Sequence, residues 1–416
     1  MHLLHEAGLS RRLFLRGTGG SLLVGSALAI AGPAVAQSAG GAVDSSSRPP
    51  SRSTGRPFPE MEKEMPHEPG KRLGYAIVGL GQFALNQIIP SFAQSKSSKL
   101  VALVSGNRQK AEQVADRYGV EHRNIYGYDD FDRIADNEEV DIVYIILPNA
   151  LHAEYTARAF KAGKHVMCEK PMAPTVEECE AMIRAGREAD RKLMIAYRAQ
   201  YESYNLEAIR MAREGELGKI RLVTSDHGRI LDPKVPADQW RMVKALAGGG
   251  SLYDIGIYSL QAARYITGEE PLEVASAQIS SDPSDPRFKE VEDLVTFQLR
   301  FPSGVLANLS SSYSTSPVKR IQVFGSKASL VLDPATEYWR HQMMVKTEKE
   351  ERRVQIPEGN QFANEMDHLV QAILENRDPK TPGEEGLRDV RIMQAVYRAA
   401  AEGRPVSLEA TGSVRP

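Results

Sequence analysis

Between residues 71 and 197, short apolar runs alternate with longer segments whose apolar positions recur with helical spacing. The runs predict strands at residues 76–79, 100–104, 125–128, 142–147, 165–168 and 193–196, and the segments predict helices at 83–94, 109–118, 131–135, 152–162 and 176–189. This alternation is typical of a parallel sheet with helices on both faces. Right-handed crossovers bring the C-terminal ends of its strands to one edge, where such folds bind ligands.

The pattern changes after residue 197. Helices at 204–214 and 252–266 are followed by β-like runs near 273–279, 294–301, 305–313, 320–324 and 330–332, and then by helices at 362–374 and 387–401. Gly, Pro and Asp clusters separate the runs, as in an open, mainly antiparallel sheet with helices on one face. The chain is therefore predicted to be α/β, with an N-terminal Rossmann-type parallel sheet domain at 71–197 and a C-terminal α+β domain at 198–416.

The first 70 residues lack this alternation. Residues 10–16 read S-R-R-L-F-L-R, an apolar stretch follows at 21–31, and A-V-A at 34–36 is typical of a cleavage site. We interpret 1–36 as a twin-arginine signal peptide for export to the periplasm; the alternative is a disordered basic tail, and the apolar run is too short to span a bilayer. Residues 37–70, rich in Ser, Pro and charge, are predicted to be a flexible arm, either a linker or a segment that orders against another surface.

The net charge and the cysteine content make several classes of function less favoured. A formal net charge of −2 on 416 residues argues against a nucleic-acid or membrane partner, which would require a basic surface. The two cysteines, Cys168 and Cys179, are expected to be buried free thiols. No spacing of His, Cys and Asp suggests a metal site.

The turn after the first strand, G-L-G-Q-F-A at residues 79–84, predicts a dinucleotide site. Gly79 permits the tight turn, Gly81 lets the backbone approach a pyrophosphate, and Ala84 lets the helix pack on the strand. The pyrophosphate would lie at the helix N-terminus, beside Gln82 and Phe83.

The end of the second strand indicates which dinucleotide is bound. NAD-binding proteins usually carry an acid there for the ribose 2′-OH, whereas this chain reads S-G-N-R-Q-K. Ser105 and Asn107 as hydrogen-bond donors and Arg108 and Lys110 as cations suit a 2′-phosphate, so NADP is predicted. The alternative is that Arg108 and Lys110 form a solvated helix face.

Three further side chains carry candidate chemistry. Lys170, in C-E-K-P, is either part of a surface salt bridge or a cation held at the nicotinamide. Asp254 and Tyr258 follow G-G-G-S and are four residues apart, so on a helix they would share one face.

These segments resemble the glucose–fructose oxidoreductase/inositol dehydrogenase (Gfo/Idh/MocA) superfamily, and within it the periplasmic glucose–fructose and aldose–aldose oxidoreductases. The resemblance rests on G-Y-A-I-V-G-L-G, A-L-V-S-G-N, Y-I-I-L-P-N, A-F-K-A-G-K-H-V-M-C-E-K-P-M-A and L-A-G-G-G-S-L-Y-D-I-G-I-Y. Many relatives carry His at the position of Tyr258, and Tyr is typical of the glucose–fructose oxidoreductase group.

The resemblance implies that NADP stays bound while one sugar is oxidised to its lactone and a second sugar, fructose or another aldose, is reduced to an alditol such as sorbitol. It also implies that the arm, over about 52–66, reaches over the adenine end of the cofactor or a neighbouring subunit. The C-terminal domain would bind substrate and form a homodimer or homotetramer through its open sheet.

Oxidation of a sugar suggests a role for each of Lys170, Asp254 and Tyr258. Oxidising a sugar hemiacetal requires a base for the O1 proton, and an ordinary tyrosine, with a pKa of about 10, is a poor one. A lysine ammonium within a few Å favours the phenolate. The hypothesis is that Tyr258 is the acid/base, that Lys170 is its electrostatic partner, and that Asp254 orients either the sugar hydroxyl or Lys170.

The predicted cofactor-binding residues come from the glycine turn, the ends of three strands and three later positions. They are Gly79, Gly81, Gln82, Phe83, Ala84, Ser105, Gly106, Asn107, Arg108, Lys110, Leu147, Pro148, Asn149, His152, Glu169, Lys170, Arg198, Trp240 and Arg241. His152 is expected near the nicotinamide ribose. Tyr197, Arg198, Tyr201, Trp240 and Arg241 are also candidates for sugar contacts, and the alternative for the aromatic residues is a place in the core.

Three rival functions remain open. One is an NADP-dependent aldose dehydrogenase or reductase whose cofactor exchanges freely. The second is a glycosidase that uses nicotinamide transiently to oxidise C3, and the third is a non-catalytic sugar-binding scaffold. The residues do not identify the donor and acceptor sugars.

Overall fold

Six parallel strands form the first sheet of the computed structural model, which describes residues 72–408. The predicted signal peptide at 1–36 and arm at 37–70 lie outside the described residues. The strands are β1 (Leu73–Val78), β2 (Ser98–Val104), β3 (Ile125–Tyr126), β4 (Ile142–Ile145), β5 (His165–Glu169) and β6 (Leu193–Ala196). Their spatial order is β3-β2-β1-β4-β5-β6, which confirms the Rossmann-type prediction.

This order places a ligand crevice. Every residue of β1 and β4 is buried, because helices cover both faces, and this is why the strands read as continuous apolar runs. The strand order reverses between β1 and β4, and open parallel sheets bind ligands outside the strand ends at such a switch point.

Labels α1 to α7 are given to the helices of ten residues or more in the described range. They are α1 (Arg108–Tyr118), α2 (His152–Lys161), α3 (Val176–Glu188), α4 (Ser203–Arg213), α5 (Ile257–Thr267), α6 (Gln361–Leu374) and α7 (Gly383–Glu402). The helix after β1 is irregular, with a π-helical turn at Ala84–Ile88 followed by Ile89–Ser91 and a 3₁₀ turn at Phe92–Gln94. The helix predicted at 131–135 is the 3₁₀ segment Phe131–Asp136.

Nine strands form the second sheet, in the order β14-β13-β12-β11-β7-β10-β9-β8-β15. They are β7 (Ile220–Ile230), β8 (Glu273–Ser280), β9 (Leu294–Arg300), β10 (Leu306–Ser312), β11 (Ser314–Gly325), β12 (Ala328–Leu332), β13 (Met343–Thr347), β14 (Glu351–Val354) and β15 (Val406–Ser407). Only β7 and β10 pair in parallel, so the sheet is mainly antiparallel, as predicted.

Helix α6 follows the strands β7 to β14 of the second sheet in the chain, but it packs on the first sheet. Phe362 and Met366 belong to the same apolar core as Tyr75 on β1, and the Tyr75 hydroxyl donates to the Met366 carbonyl oxygen at 2.8 Å. The C-terminal part of the chain therefore covers the nucleotide-binding sheet directly. Of the helices within 72–408, none is long and apolar enough to cross a bilayer.

Candidate active site

The turn after β1 has the shape of a pyrophosphate cradle. Gly79 has a φ of +99°, and a Cβ there would lie 2.3 Å from the Ile146 carbonyl oxygen. A Cβ on Gly81 would meet no heavy atom within 4 Å, so the space in front of this backbone is open. A helix begins directly after Gly81, and the first N–H groups of a helix have no partner within it. These features fit an anion at the helix N-terminus.

The end of β2 supplies polar groups to the same turn. The Lys110 ammonium donates to the Leu80 carbonyl oxygen at 2.9 Å, which brings this cation to the glycine turn. Ser105 is almost buried, and its hydroxyl accepts from the Asn107 backbone N–H at 3.1 Å. The Asn107 side chain caps α1 by accepting from the Lys110 N–H at 2.9 Å. No carboxylate occurs among residues 105–110, so this pocket fits the 2′-phosphate of NADP.

Arg108 is placed differently from the prediction. Its guanidinium donates to the carbonyl oxygens of Ile125 at 2.9 Å and His122 at 3.2 Å, and to Glu112 at 2.8 Å. These bonds brace the segment before β3 while the side chain stays half exposed. Arg108 is thus held at the rim, and Lys110 is the cation nearer the glycine turn.

The structure corrects the role predicted for His152. The side chain is fully buried, and its ring nitrogens face the carbonyl oxygens of Leu147 at 2.9 Å and Pro171 at 3.0 Å. Burial also lowers the pKa of His152. The ring therefore ties the loop after β4 to the loop after β5 and has no free edge for a ribose.

Four neighbouring residues predicted to bind the cofactor lie at the same edge, and their contact with NADP stays a prediction. Leu147 and Pro148 are buried at this edge, and the Asn149 amide donates to the Ala247 carbonyl oxygen at 2.8 Å. Glu169 faces inward, because it accepts from the Tyr144 hydroxyl at 2.7 Å. These bonds hold the loops after β4 and β5 in place on either side of Lys170. The Lys170 side chain lies at the C-terminal edge of the sheet.

Lys170, Asp254 and Tyr258 come together at this edge. The Lys170 ammonium donates to the Asp254 carbonyl oxygen at 2.6 Å and lies 3.5 Å from its carboxylate. The same nitrogen lies 4.9 Å from the centroid of the Tyr258 ring. Asp254 lies in a π-helical turn, Leu252–Gly256, and Tyr258 lies in the first turn of α5. The ammonium thus faces the ring, whereas the Tyr258 hydroxyl is bonded elsewhere.

The hydroxyl of Tyr258 is bonded to Arg198. The Arg198 Nε donates to the Tyr258 oxygen at 3.1 Å, and its other nitrogens donate to the Gln361 side-chain oxygen at 2.7 Å and the Thr336 carbonyl oxygen at 2.7 Å. Arg198 is only 7% exposed, and its contact with sugar or cofactor stays a prediction. It lies behind Tyr258 and holds the phenol oxygen.

Asp254 is surrounded by cations. Its carboxylate accepts from Arg241 Nε at 2.9 Å and lies 3.5 Å from both Arg229 and Lys170. Burial alone would raise the pKa of Asp254, but Arg241, Lys170 and Arg229 hold it well below its usual range. Of the two roles considered for Asp254, the contacts match the orientation of Lys170. Its lone pairs are committed to these cations rather than left to a sugar hydroxyl.

His227 on β7 is a site residue that sequence reasoning missed. Its ring stacks on Tyr258 with centroids 5.6 Å apart and 24° between planes. Its nitrogens bond the hydroxyls of Ser259 and Thr336, each at 2.8 Å. Burial, reinforced by nearby cations, lowers the pKa of His227 to about 3, so the ring is neutral. A single His in a polar run gives no signal from which this contact could be predicted.

The remaining aromatic candidates divide between core and cleft. Tyr197 and Tyr201 are buried, 1% and 7% exposed, and belong to the core. A place in the core is the alternative that the sequence leaves open for these aromatic residues. Trp240 is half-buried and stacks under Arg241, whose guanidinium carbon lies 4.4 Å from the ring centroid. Through Arg241, this ring is connected to Asp254. Among the described residues, no group of His, Cys, Asp and Glu could hold a metal ion.

Comparison with known proteins gives matches over both sheets. Residues 73–197 match the family model described as oxidoreductase family, NAD-binding Rossmann fold, and residues 209–408 match oxidoreductase family, C-terminal alpha/beta domain. The chain is similar to a solved aldose-aldose oxidoreductase from Caulobacter crescentus complexed with glycerol. The two are 51% identical with a TM-score of 0.78, over 81% of this chain and 100% of the other.

Two further relatives differ more. A D-xylose 1-dehydrogenase [NADP(+)] from Haloarcula marismortui is 32% identical over 342 residues, which are 80% of this chain and 93% of the relative. A 3-ketoreductase from Actinomadura kijaniata, solved with NADP, shares the fold at 24% identity and a TM-score of 0.68, over 79% of this chain and 98% of the other.

Proposed function

Because the chain belongs to the Gfo/Idh/MocA oxidoreductase family, we propose that it oxidises an aldose to its lactone and reduces a second sugar to an alditol with one bound NADP. The protein is an NADP-dependent oxidoreductase that acts on the CH–OH groups of sugars. The observation that carries the proposal is the Tyr258 phenol between Lys170 and Arg198 at the ligand edge of the first sheet.

The proton chemistry follows from these contacts. NADP, when bound, supplies the acceptor of the C1 hydride and the donor of that hydride to the second sugar. The Tyr258 oxygen, acting as the base, removes the O1 proton as the C1–H bond breaks, and the hemiacetal carbon becomes the lactone carbonyl. The Lys170 and Arg198 cations stabilise the phenolate that this step needs. In the second half-reaction the Tyr258 hydroxyl returns its proton to the oxygen of the reduced carbonyl.

The roles of the surrounding residues are to hold these charges in place. Asp254 fixes the Lys170 ammonium, and Arg229 and Arg241 fix Asp254. Neutral His227 stacks on the Tyr258 ring and supports it on the side of β7. The site is therefore set for proton transfer before a sugar enters, which is the form of pre-organisation that catalysis exploits.

The experiment that tests the function is an incubation without added cofactor. The purified protein is given glucose plus fructose, or glucose alone, and the products are identified. If fructose is the acceptor, the mixture is expected to give lactone and sorbitol in equal amounts. If a second glucose is the acceptor, glucose alone is expected to give the same two products in equal amounts. An enzyme that forms neither product until NADP is added would instead be the dehydrogenase with an exchangeable cofactor, which the D-xylose 1-dehydrogenase relative favours.

The cofactor pocket gives a prediction about specificity. Ser105→Asp places a carboxylate where the 2′-phosphate is expected, and like charges side by side cost several kcal/mol. We expect the affinity for NADP to fall by about 100-fold or more, while NAD, which has no 2′-phosphate, binds as in the wild type. Titration of the cofactor-free variant with both dinucleotides measures this. An equal loss for the two would place the phosphate elsewhere.

The arm gives a prediction about retention of the cofactor. We propose that the part of the arm over about residues 52–66 covers the bound NADP after export to the periplasm, because a cycle between two sugars requires slow cofactor release. A variant that begins at Lys71 should lose its NADP on gel filtration, whereas the full mature chain keeps it. Equal retention by both would show that the arm has another role. Mass measurement in the same run tests the proposed homodimer or homotetramer.

A further inference from the structure

A buried acid behind the active site has no role in the chemistry described above. Glu365 lies on α6 and is 1% exposed, and neither carboxyl oxygen has a hydrogen-bond partner in the described part of the chain. An ionised carboxylate in such a place would cost several kcal/mol, whereas a protonated one costs far less. The geometry alone therefore favours the neutral acid.

The surroundings of Glu365 connect it to Arg198. Gln361 precedes Glu365 by one helical turn, so both side chains lie on the same face of α6. The Gln361 side-chain oxygen accepts from Arg198 at 2.7 Å. The positive charge of Arg198 opposes the rise in the pKa of Glu365 that burial causes. An ionised Glu365 would thus compete for the guanidinium that bonds Tyr258.

Every element packed around Glu365 contributes a titratable group. They are Tyr75 from β1, Tyr144 from β4, Glu169 at the end of β5, and Arg198 and Tyr201 after β6. Burial raises the pKa of all three tyrosines, so they are neutral. Burial raises the pKa of the other acid in this group, Glu169, and its bonds from the Tyr144 hydroxyl at 2.7 Å and the Lys170 N–H at 3.3 Å oppose that rise, as do the Lys170 and Arg198 charges. Burial, and secondly the charge of Glu169, raise the pKa of Glu365 well above its usual range.

We propose that Glu365 is a positioning residue that stays protonated at neutral pH, and that its neutral state leaves Arg198 bonded to the Tyr258 oxygen. The functional half of this proposal rests on Tyr258 being the acid/base. The protonation half does not, because it concerns only the folded protein. At alkaline pH, ionised Glu365 draws the guanidinium toward α6, and the phenol loses one of its two cations.

The two halves have separate tests on the holoenzyme, with Glu365→Gln as the neutral isostere and Glu365→Met as a second variant of similar length. The unfolded acid ionises above a pKa of about 4.3, whereas the folded one stays protonated, so the folded wild type binds one more proton than its unfolded chain. Its folding equilibrium constant should therefore fall with rising pH relative to Glu365→Gln, by up to about tenfold per pH unit at pH values above the unfolded pKa. Equal pH dependence of the two stabilities would overturn the protonation of Glu365.

Kinetics test the link to Arg198. Both variants should retain activity at neutral pH, and the alkaline fall in kcat should move to higher pH than in the wild type. A surface control, Glu207→Gln on α4, should change neither profile. Unchanged alkaline profiles in Glu365→Gln and Glu365→Met would overturn the positioning role even if the stability data show the proton. Absence of sugar turnover in every protein, with the stability result intact, would contradict the proposed function and not the protonation.

Discussion

Tyr258→Phe is expected to lower kcat by about 10³-fold, within the range of 10² to 10⁴ that general acid–base catalysis contributes. The variant loses only the phenol oxygen, which Arg198 bonds at 3.1 Å. The ring keeps its contacts with His227 and Lys170, so the fold and the cofactor pocket should be unchanged. Both half-reactions should slow together, since the same oxygen takes and returns the proton.

The measurement is kcat for lactone and alditol formation, with the NADP content of each preparation determined alongside. Tyr118→Phe is a matched control, because Tyr118 lies on α1 beside Arg117, outside the site. Wild-type turnover by Tyr258→Phe with a full complement of NADP would remove the phenol from the mechanism.

Lys170→Met is expected to lower kcat by about 100-fold and to move the activity profile to higher pH. The ammonium lies 4.9 Å from the ring centroid. A desolvated cation over an aromatic face contributes about 2 kcal/mol or more, and an ionised ring attracts the cation more strongly, so a loss of about 10²-fold in rate is expected. Because Arg198 remains, the loss should be smaller than that in Tyr258→Phe.

A second lysine–aspartate pair provides the control. Lys192 lies 3.7 Å from Asp378, before β6 and away from the cleft, and Lys192→Met should leave the rate and its pH dependence unchanged. A drop in kcat for Lys170→Met with no change in the pH profile would indicate that Lys170 only binds sugar. In that case the stabilisation of the phenolate would fall to Arg198 alone.

The sequence predicts the first sheet better than the second because of where the strands lie. Strands of a parallel sheet are buried on both faces and read as apolar runs, so β1, β2 and β4 to β6 stand out. In the second sheet, β7 carries T-S-D-H on alternating faces and β14 reads E-R-R-V, so neither resembles an apolar run. Strands β13 and β15 were missed as well; both are short, and β15 has only two residues.

The residues of the candidate site that lie in short sequence motifs could be predicted. Lys170 lies in E-K-P, and Asp254 and Tyr258 follow the glycine run, so local motifs point to them. The contact of Arg198 with Tyr258 joins positions 60 residues apart, and its contact with Gln361 joins positions 163 apart. No local pattern reports pairs at such separations.

Contacts between residues far apart in the chain also explain why the roles predicted for His152 and Tyr201 differ from those in the structure. His152 and Tyr201 carry polar groups at plausible positions along the chain, but whether a side chain is buried depends on elements that pack on it later. The Tyr201 hydroxyl meets Thr381 at 3.3 Å, and His152 meets the loop after β5. The role of α6 was missed for this reason too, since its sequence predicts a helix and not the sheet on which it packs.

In the proposed reaction one NADP, held in the protein, carries hydride from one sugar to another past Tyr258. The most direct measurement uses glucose deuterated at C1 with an unlabelled acceptor sugar, in the presence of excess unlabelled NADPH. We expect one deuterium on the reduced carbon of each alditol molecule, undiluted by the added NADPH. An alditol whose label is diluted in proportion to the added NADPH would contradict it, because the hydride would then have come from a freely exchanging pool.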